Sequence, residues 1–218
     1  ARAEVDALLQ TLGLLSVQHS RVGDSMHRGI SGGEKRRLAV GCALIAHPSL
    51  LVADEPTTGL DAHQAARVVR LVRSAASDRS IPAVATLHQP RSSIWAMLDD
   101  VLLLAPNGRV VYMGARDGAL RHFAKLGHPC PPATNPAEHL IDLVSVDHDE
   151  AEGAAADEAR INVLAAAWRK KMSNDRVRLS AAKSTALASS SASDGKKHAA
   201  VSRRKRAKPL RRLFLLLR

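Results

Sequence analysis

The sequence predicts an α/β fold over roughly its first 150 residues, followed by a basic segment of different composition. Along the first part, short apolar runs alternate with segments whose apolar residues recur at helical spacing, which is typical of packed strands and helices. Charge divides the chain at the same place. Residues 1–150 carry 15 Lys and Arg against 16 Asp and Glu, whereas residues 151–218 carry 17 against 5. The net charge of +11 therefore belongs to the second part.

The predicted elements follow from apolar spacing and from Gly, Pro and Asn at the breaks. Helices are predicted at residues 1–15, from Ser31 to just before Pro48, over Asp61–Ser74, briefly after Pro90, and over roughly Ala115–Leu126. Strands are predicted at Leu50–Ala53, Ala83–Leu87, Val101–Ala105 and Arg109–Met113, the last two forming a hairpin around Pro106-Asn107-Gly108. We expect the strand at 50–53 to be buried on both faces, as in a parallel sheet. This set of elements describes the later half of an α/β domain.

The rest of the chain has weaker patterning. Residues 151–172 have some helical character, and residues 180–200 have the Ser, Ala and Lys composition of a linker that cannot bury a core. We divide the chain into three segments: the part of the α/β domain at 1–146, a low-complexity linker at 147–206, and the start of an amphipathic helix at 207–218. No apolar run approaches the roughly 20 residues of a membrane-spanning helix. Cys42 and Cys130 lack the spacing of a zinc site, which indicates free thiols.

Ser31-Gly32-Gly33-Glu34 opens the second predicted helix. Ser-x-x-Glu alone indicates a capping box, a purely structural feature. The paired glycines argue for more, because each costs about 0.8–1 kcal/mol relative to Ala within a helix. Such a cost is understandable where a ligand approaches the backbone, and a helix start with free N–H groups suits phosphate. Lys35, Arg36 and Arg37 either add to the positive field or form a solvated helix face.

Asp54 and Glu55 end the apolar run that begins at Leu50, which is the pattern of a Walker B strand. A carboxylate at a strand end can hold Mg²⁺ through its water shell, and a second can orient or deprotonate an attacking water. Taken alone, the pair could equally be two surface acids before a turn. Its position after the glycine motif favours the functional interpretation.

Two further candidates follow. Asp61 is placed to cap the next helix or, alternatively, to lie at a subunit interface across a nucleotide. His88 follows the strand Ala83–Leu87, so it is a candidate for contact with a terminal phosphate, although a lone histidine is more often a packing or surface residue.

Together these motifs resemble an ABC transporter ATPase domain, and more narrowly the half-size transporters of the G subfamily. The resemblance covers roughly residues 1–146 and implies a partial P-loop NTPase (RecA-like) fold, followed by a largely disordered basic linker. It is carried by these segments: Val22-Gly23-Asp24, Arg28-Gly29-Ile30-Ser31-Gly32-Gly33-Glu34, Asp54-Glu55-Pro56-Thr57-Thr58-Gly59-Leu60-Asp61, His88-Gln89-Pro90-Arg91-Ser92-Ser93, Val111-Tyr112-Met113-Gly114, Cys130-Pro131 and Asn135-Pro136-Ala137.

The resemblance implies ATP and Mg²⁺ as cofactors, with export of a lipid-like or hydrophobic substrate as the function. Its site residues would be Glu55 and His88 for catalysis, Asp54 for Mg²⁺ through water, and Ser31, Gly32, Gly33, Glu34, Asp61 and Gln89 for the nucleotide. Its partners would be a second half-transporter, as homo- or heterodimer, and a membrane domain in the same protein. It places the chain at the cytosolic face of a membrane.

The Walker A loop G-x-x-x-x-G-K-[ST] does not occur between Ala1 and Arg218. Family members combine a Walker A from one domain with a signature motif from the other. We therefore expect the chain alone to be inactive as an ATPase, and the intact protein to be active.

Two alternatives stay open at this point. A soluble ABC-type ATPase of translation or DNA repair would share the signature and Walker B motifs. The tail could instead be a binding module, since Lys196–Arg218 holds ten basic residues and no acidic one. Leucines interleaved with arginines favour anionic lipid over nucleic acid, which would need aromatic residues for base stacking.

Overall fold

The computed structural model describes residues 2–24, 26–147, 151–191 and 213–217. These residues form two compact units. The first contains the residues up to Ser145 together with the short segment near the C-terminus, and the second contains the described residues between them. The motifs of the sequence analysis all lie in the first unit.

A five-stranded sheet is the centre of the first unit. Its strands are β1 (Leu51–Ala53), β2 (Ala83–Leu87), β3 (Asp100–Ala105), β4 (Arg109–Ala115) and β5 (Leu213–Leu217). They lie in the order β1-β2-β5-β3-β4. The pairs β1–β2, β2–β5 and β5–β3 are parallel, and only β4 runs antiparallel to its neighbour.

Six helices of the first unit are α1 (Arg2–Leu12), α2 (Gly32–Ile45), α3 (Ala62–Arg79), α4 (Ser92–Trp95), α5 (Arg116–Lys125) and α6 (Pro136–Asp142). The predicted helices agree with α1 to α5 to within a few residues, and α3 continues five residues beyond the predicted end. Asp61 caps α3 as predicted, and the inward residues Ala65, Val69 and Val72 are buried. The short helix α6 was not predicted.

The sheet is well buried on one face only, within the described residues. Leu51, Ala83, Ala85, Val101 and Leu103 are almost fully buried. By contrast, Val52, which points to the opposite face, is 68% exposed. The expectation that this strand is buried on both faces was therefore wrong, because helices described here cover one side of it and not the other.

The predicted hairpin is present as β3 and β4. Ala105 pairs with Arg109, and the two strands are joined by a 3-10 turn over Pro106–Gly108. Asn107 and Gly108 both have positive φ, 62° and 70°. Asn and Gly are the residues that adopt this conformation at least cost, which is why the turn could be predicted from sequence.

The second unit contains one long helix, α7 (Ala151–Ser191). Asp157 accepts the backbone N–H of Asp147 at 3.0 Å and pairs with Arg160 at 2.7 Å. A linker without structure was predicted for 180–200, so the helix over 180–191 is a difference. Residues 180–191 contain four Ala, the strongest helix former, and no proline or glycine to end the helix. Residues 192–200 lie outside the described part of the chain.

The C-terminal segment also differs from expectation. An amphipathic helix was predicted to begin within 207–218, whereas Leu213–Leu217 is strand β5. Leu, Phe and Leu in succession can form either element, and here the backbone groups pair with β2 on one side and β3 on the other. The remaining residues of 207–218 are outside the described part. Among the described helices, none has the length and apolar character needed to cross a membrane.

Candidate active site

The two carboxylates that follow β1 lie at the carboxyl edge of the sheet, beside the end of β2. Ala53 is opposite Ala85 in the parallel register, so Asp54 lies alongside Thr86. Thr86 Oγ1 donates a hydrogen bond of 2.6 Å to Asp54 Oδ1. The hydroxyl oxygen of Thr86 also accepts a hydrogen bond of 2.6 Å from the backbone N–H of Glu55. One hydroxyl therefore positions both acidic residues.

Glu55 is held in an unusual backbone conformation. Its φ is 41°, a region that residues other than glycine seldom adopt. Thr58 Oγ1 donates to Glu55 Oε2 at 3.0 Å, and the side chain is exposed. Local strain of this kind persists where neighbouring contacts impose it, and it is common at functional sites. Here the contacts from Thr58 and Thr86 hold the carboxylate at the surface.

His88 and Gln89 leave the same sheet edge one residue after β2 ends. Both are exposed, and Gln89 also has a positive φ, 42°. The loop is anchored just beyond them, where Asn135 Nδ2 donates to the carbonyl of Pro90 at 2.9 Å. His88 therefore follows β2 at the sheet edge where Asp54 and Glu55 follow the neighbouring β1, and it is exposed.

Ser31 and Glu34 form the capping box at the start of α2. Ser31 N–H and Ser31 Oγ donate to Glu34 Oε2 at 2.7 and 2.8 Å, and Ser31 Oγ accepts from Glu34 N–H at 3.3 Å. The two bonds from Ser31, backbone first, lower the pKa of Glu34 below its ordinary value. Glu34 therefore stays ionised and structural, whereas the hydroxyl of Ser31 remains at the exposed helix start.

The start of α3 lies against the glycines of α2. Asp61 Oδ1 accepts from the backbone N–H of Gln64 at 2.9 Å. A Cβ at Gly33 would lie 2.8 Å from Gln64 Oε1, so a larger residue would displace the Gln64 side chain. Gly32 faces Leu60, at 3.7 Å for the same hypothetical atom. The close approach of two helix starts thus explains part of the glycine requirement without any ligand.

The predicted site residues therefore form two groups. The first, the strand-end group, contains Asp54, Glu55, His88 and Gln89. The second, the helix-start group, contains Ser31, Gly32, Gly33, Glu34 and Asp61. Among the described residues, no hydrogen bond or ion pair joins the two groups.

The sequence analysis assigned no supporting contact to four residues that the structure places around the site: Thr58, Gln64, Thr86 and Asn135. Thr86 gave a weak signal, since it is the only polar residue in Ala83–Leu87. Arg37 was expected in the positive field or on a solvated face. It is instead buried, with its Nη1 donating to Gln64 Oε1 at 2.8 Å.

Asp54 fits the predicted Mg²⁺ role by its chemistry, because carboxylate oxygen is a ligand that this ion prefers. Its Oδ2 has no hydrogen-bond partner among the described residues, which leaves that oxygen available. Within the same residues, no group of three or more His, Cys, Asp or Glu is arranged to hold a metal. An ion at Asp54 would thus need water and phosphate for its other ligands.

Replacing Thr86 by valine is expected to lower the free energy of unfolding by about 1–2 kcal/mol, because the Asp54 carboxylate and the Glu55 N–H both lose a partner. Urea denaturation of the 218-residue chain measures this change. Thr86→Ser keeps the hydroxyl and is the matched control. Equal midpoints for the valine variant and the wild type would show that the bridging hydroxyl contributes nothing.

Known proteins share sequence with most of this chain. Residues 1–58 match the ABC transporter family, and residues 88–209 match the ABC-2 type transporter family. Over 171 residues the chain is 45% identical to ABC transporter G family member 7 of Arabidopsis thaliana, covering 78% of this chain and 23% of that protein. Over 168 residues it is 38% identical to ATP-binding cassette sub-family G member 8 of Homo sapiens, and the match covers 77% of this chain and 25% of that protein.

The chain belongs to the G subfamily of ABC transporters. The family and subfamily predicted from the motifs are confirmed. A further relative is the "Broad substrate specificity ATP-binding cassette transporter ABCG2" of Mus musculus, 42% identical over 144 residues, covering 66% of this chain and 22% of that protein.

This G-subfamily chain spans about a quarter of the length of these curated relatives. Its match to the ABC-2 type transporter family argues against the alternative of a soluble translation or repair ATPase. The roles of the individual site residues stay predictions.

Proposed function

We propose that this chain supplies the hydrolytic strand end and the signature helix start of an ATPase that drives transmembrane export of a lipid-like or hydrophobic substrate. The observation that carries the proposal is the strand-end group: Asp54 and Glu55, both tied to Thr86, lie at one sheet edge with His88. Adjacent carboxylates and a histidine at the carboxyl ends of parallel strands are suited to phosphate-ester hydrolysis. The substrate class rests on the family resemblance.

In this proposal, each residue of the strand-end group has a separate role in ATP hydrolysis. Glu55 orients the attacking water and accepts its proton, since its carboxylate is exposed and fixed by Thr58. Asp54 holds the Mg²⁺ shell through its free oxygen, and the bound ion neutralises charge on the phosphates. His88 donates to the terminal phosphate, and Gln89 borders the same position.

The helix-start group contacts a different nucleotide in the proposal. In the proposal, the Ser31 hydroxyl and the backbone N–H groups of Gly32 and Gly33 contact phosphate at the start of α2, where Ser31 and Gly32 are exposed and Gly33 is buried. The separation of the two groups supports an arrangement in which each contacts its own ATP. The second ATP would be held by a partner half-transporter, with Asp61 at the interface.

The proposed setting is the cytosolic face of a membrane. A membrane domain in the same protein would follow the ATPase part at 1–146, the linker at 147–206 and the connecting segment at 207–218. Ten basic residues in Lys196–Arg218 favour contact with anionic lipid. We propose no contact with nucleic acid.

The purified 218-residue chain is expected to show no ATP hydrolysis above the buffer rate, because it contains no Walker A loop. Phosphate release in the presence of ATP and Mg²⁺ measures this. The matched sample is a half-transporter that contains the chain together with a Walker A loop, which is expected to turn over. Turnover by the chain alone that disappears in Glu55→Gln would overturn the expected inactivity.

A further inference from the structure

A cavity of about 230 Å³ lies among α1, α2 and α3 of the first unit, away from the strand-end group. Three arginines and two hydroxyl residues are among its lining residues, and no acidic residue is. They are Arg37, Arg67, Arg70, Thr11 and Ser74.

Arg37 is the buried member of this arginine cavity. Only 4% of the residue is exposed. Its Nη1 donates to Gln64, but its Nε is buried and has no hydrogen-bond partner among the described residues. Burial and the nearby Arg67 lower the pKa of the Arg37 guanidinium, with Glu34 acting in the opposite direction. The buried positive charge is therefore only partly compensated.

Arg67 and the exposed Arg70 line the cavity from positions about one turn apart on α3. Within the described residues neither makes a hydrogen bond or an ion pair. The guanidinium of Arg67 lies directly against Gly13. Glu34 acts electrostatically on Arg37 and Arg67, but its carboxylate already accepts both bonds from Ser31. The three cations thus share a cavity without a dedicated anion.

We propose that this arginine cavity is a binding site for a phosphate-class oxyanion. Guanidinium groups offer planar pairs of N–H donors that match phosphate oxygens. The hydroxyls of Thr11 and Ser74 already donate to Ala7 O and Asp78 Oδ2, so the arginines are the donors of this site. Arg37 lies four residues beyond Gly33, about one helical turn from the helix-start group, so the site is separate from the proposed ATP contact. The anion is either free phosphate or the headgroup of a phosphomonoester lipid, which share the same chemistry.

Isothermal titration of the 218-residue chain with sodium phosphate, at constant ionic strength set by sodium chloride, tests the proposal. Saturable binding is expected, with affinity reduced at least tenfold in Arg67→Gln and in Arg70→Gln. Arg121→Gln removes an exposed arginine of α5 that does not line the cavity, and it is expected to bind like the wild type. Circular dichroism confirms that each variant is folded.

Amide chemical shifts measured during the same titration locate the anion. The largest changes are expected at Thr11 and Ser74; changes centred on Gly32 and Gly33 would place the anion at the helix start and overturn the proposal. Absence of saturable binding, or equal weakening by Arg121→Gln and Arg67→Gln, would also overturn it. A parallel titration with soluble short-chain phosphatidic acid identifies the source: arginine-dependent binding of this lipid tighter than that of phosphate assigns the headgroup, and the reverse assigns free phosphate.

Discussion

Glu55→Gln in a half-transporter that contains this chain is expected to reduce kcat for ATP hydrolysis by about 10²–10⁴-fold, the range that a positioned general base contributes. The substitution keeps the shape of the side chain and its contact with Thr58, which can donate to an amide oxygen as well as to a carboxylate. It removes the group that would accept a proton from the attacking water. Steady-state phosphate release at saturating ATP measures the effect.

The control for this experiment is Glu158→Gln, which removes the same charge from an exposed position of α7. It is expected to leave kcat within a factor of two. ATP affinity should change little in Glu55→Gln, because the lost interaction belongs to the transition state. If Glu55→Gln retains most of the wild-type kcat, Glu55 is not the general base, and the strand-end group has another role.

Phe123→Ala is expected to have the largest effect on stability, lowering the free energy of unfolding by about 3–5 kcal/mol, as is typical when a buried aromatic ring is removed. Phe123 is fully buried on α5. Its ring lies edge-on to His122 at 5.1 Å between centroids, and 6.2 Å from the ring of Tyr112 on β4. Truncation leaves a cavity between this helix and the hairpin, and the flanking rings lose their contacts.

Urea denaturation of the 218-residue chain measures the change, with Met113→Ala as the control. Met113 belongs to the same hairpin but is 50% exposed, so its truncation is expected to cost no more than about 0.5 kcal/mol. A shift for Phe123→Ala as small as that of Met113→Ala would mean that α5 does not depend on this ring for its packing against the sheet.

Local chemistry explains which parts of the fold were predictable. The turn at Asn107 and Gly108, the caps at Ser31 and Asp61, and the spacing of Val69 and Val72 all act over a few residues, so the sequence shows them directly. The exposure of Val52 depends on which helices cover the sheet. The formation of α7 depends on the helix propensities of many residues added together. Neither is contained in a short motif.

In the candidate site, too, residues in local motifs could be predicted and residues that act through tertiary contacts could not. Asp54, Glu55 and His88 could be identified because each follows an apolar run, and the parallel register then brings their strand ends together. Thr86 could not be assigned its role, since its hydroxyl meets Asp54 only through strand pairing. Arg37 was misjudged for a similar reason: its burial depends on α1 and α3, which are distant in sequence.

The position of β5 has a consequence for the rate of folding. β2 and β3 do not pair with each other; each pairs with Leu213–Leu217, which lies between them. The sheet is therefore complete only after the chain between Leu87 and Leu213 has closed a long loop. The entropy of closure grows slowly with loop length, but contacts so distant in sequence delay folding. We expect the hairpin of β3 and β4 to form early and the closing of the sheet to be the slow step.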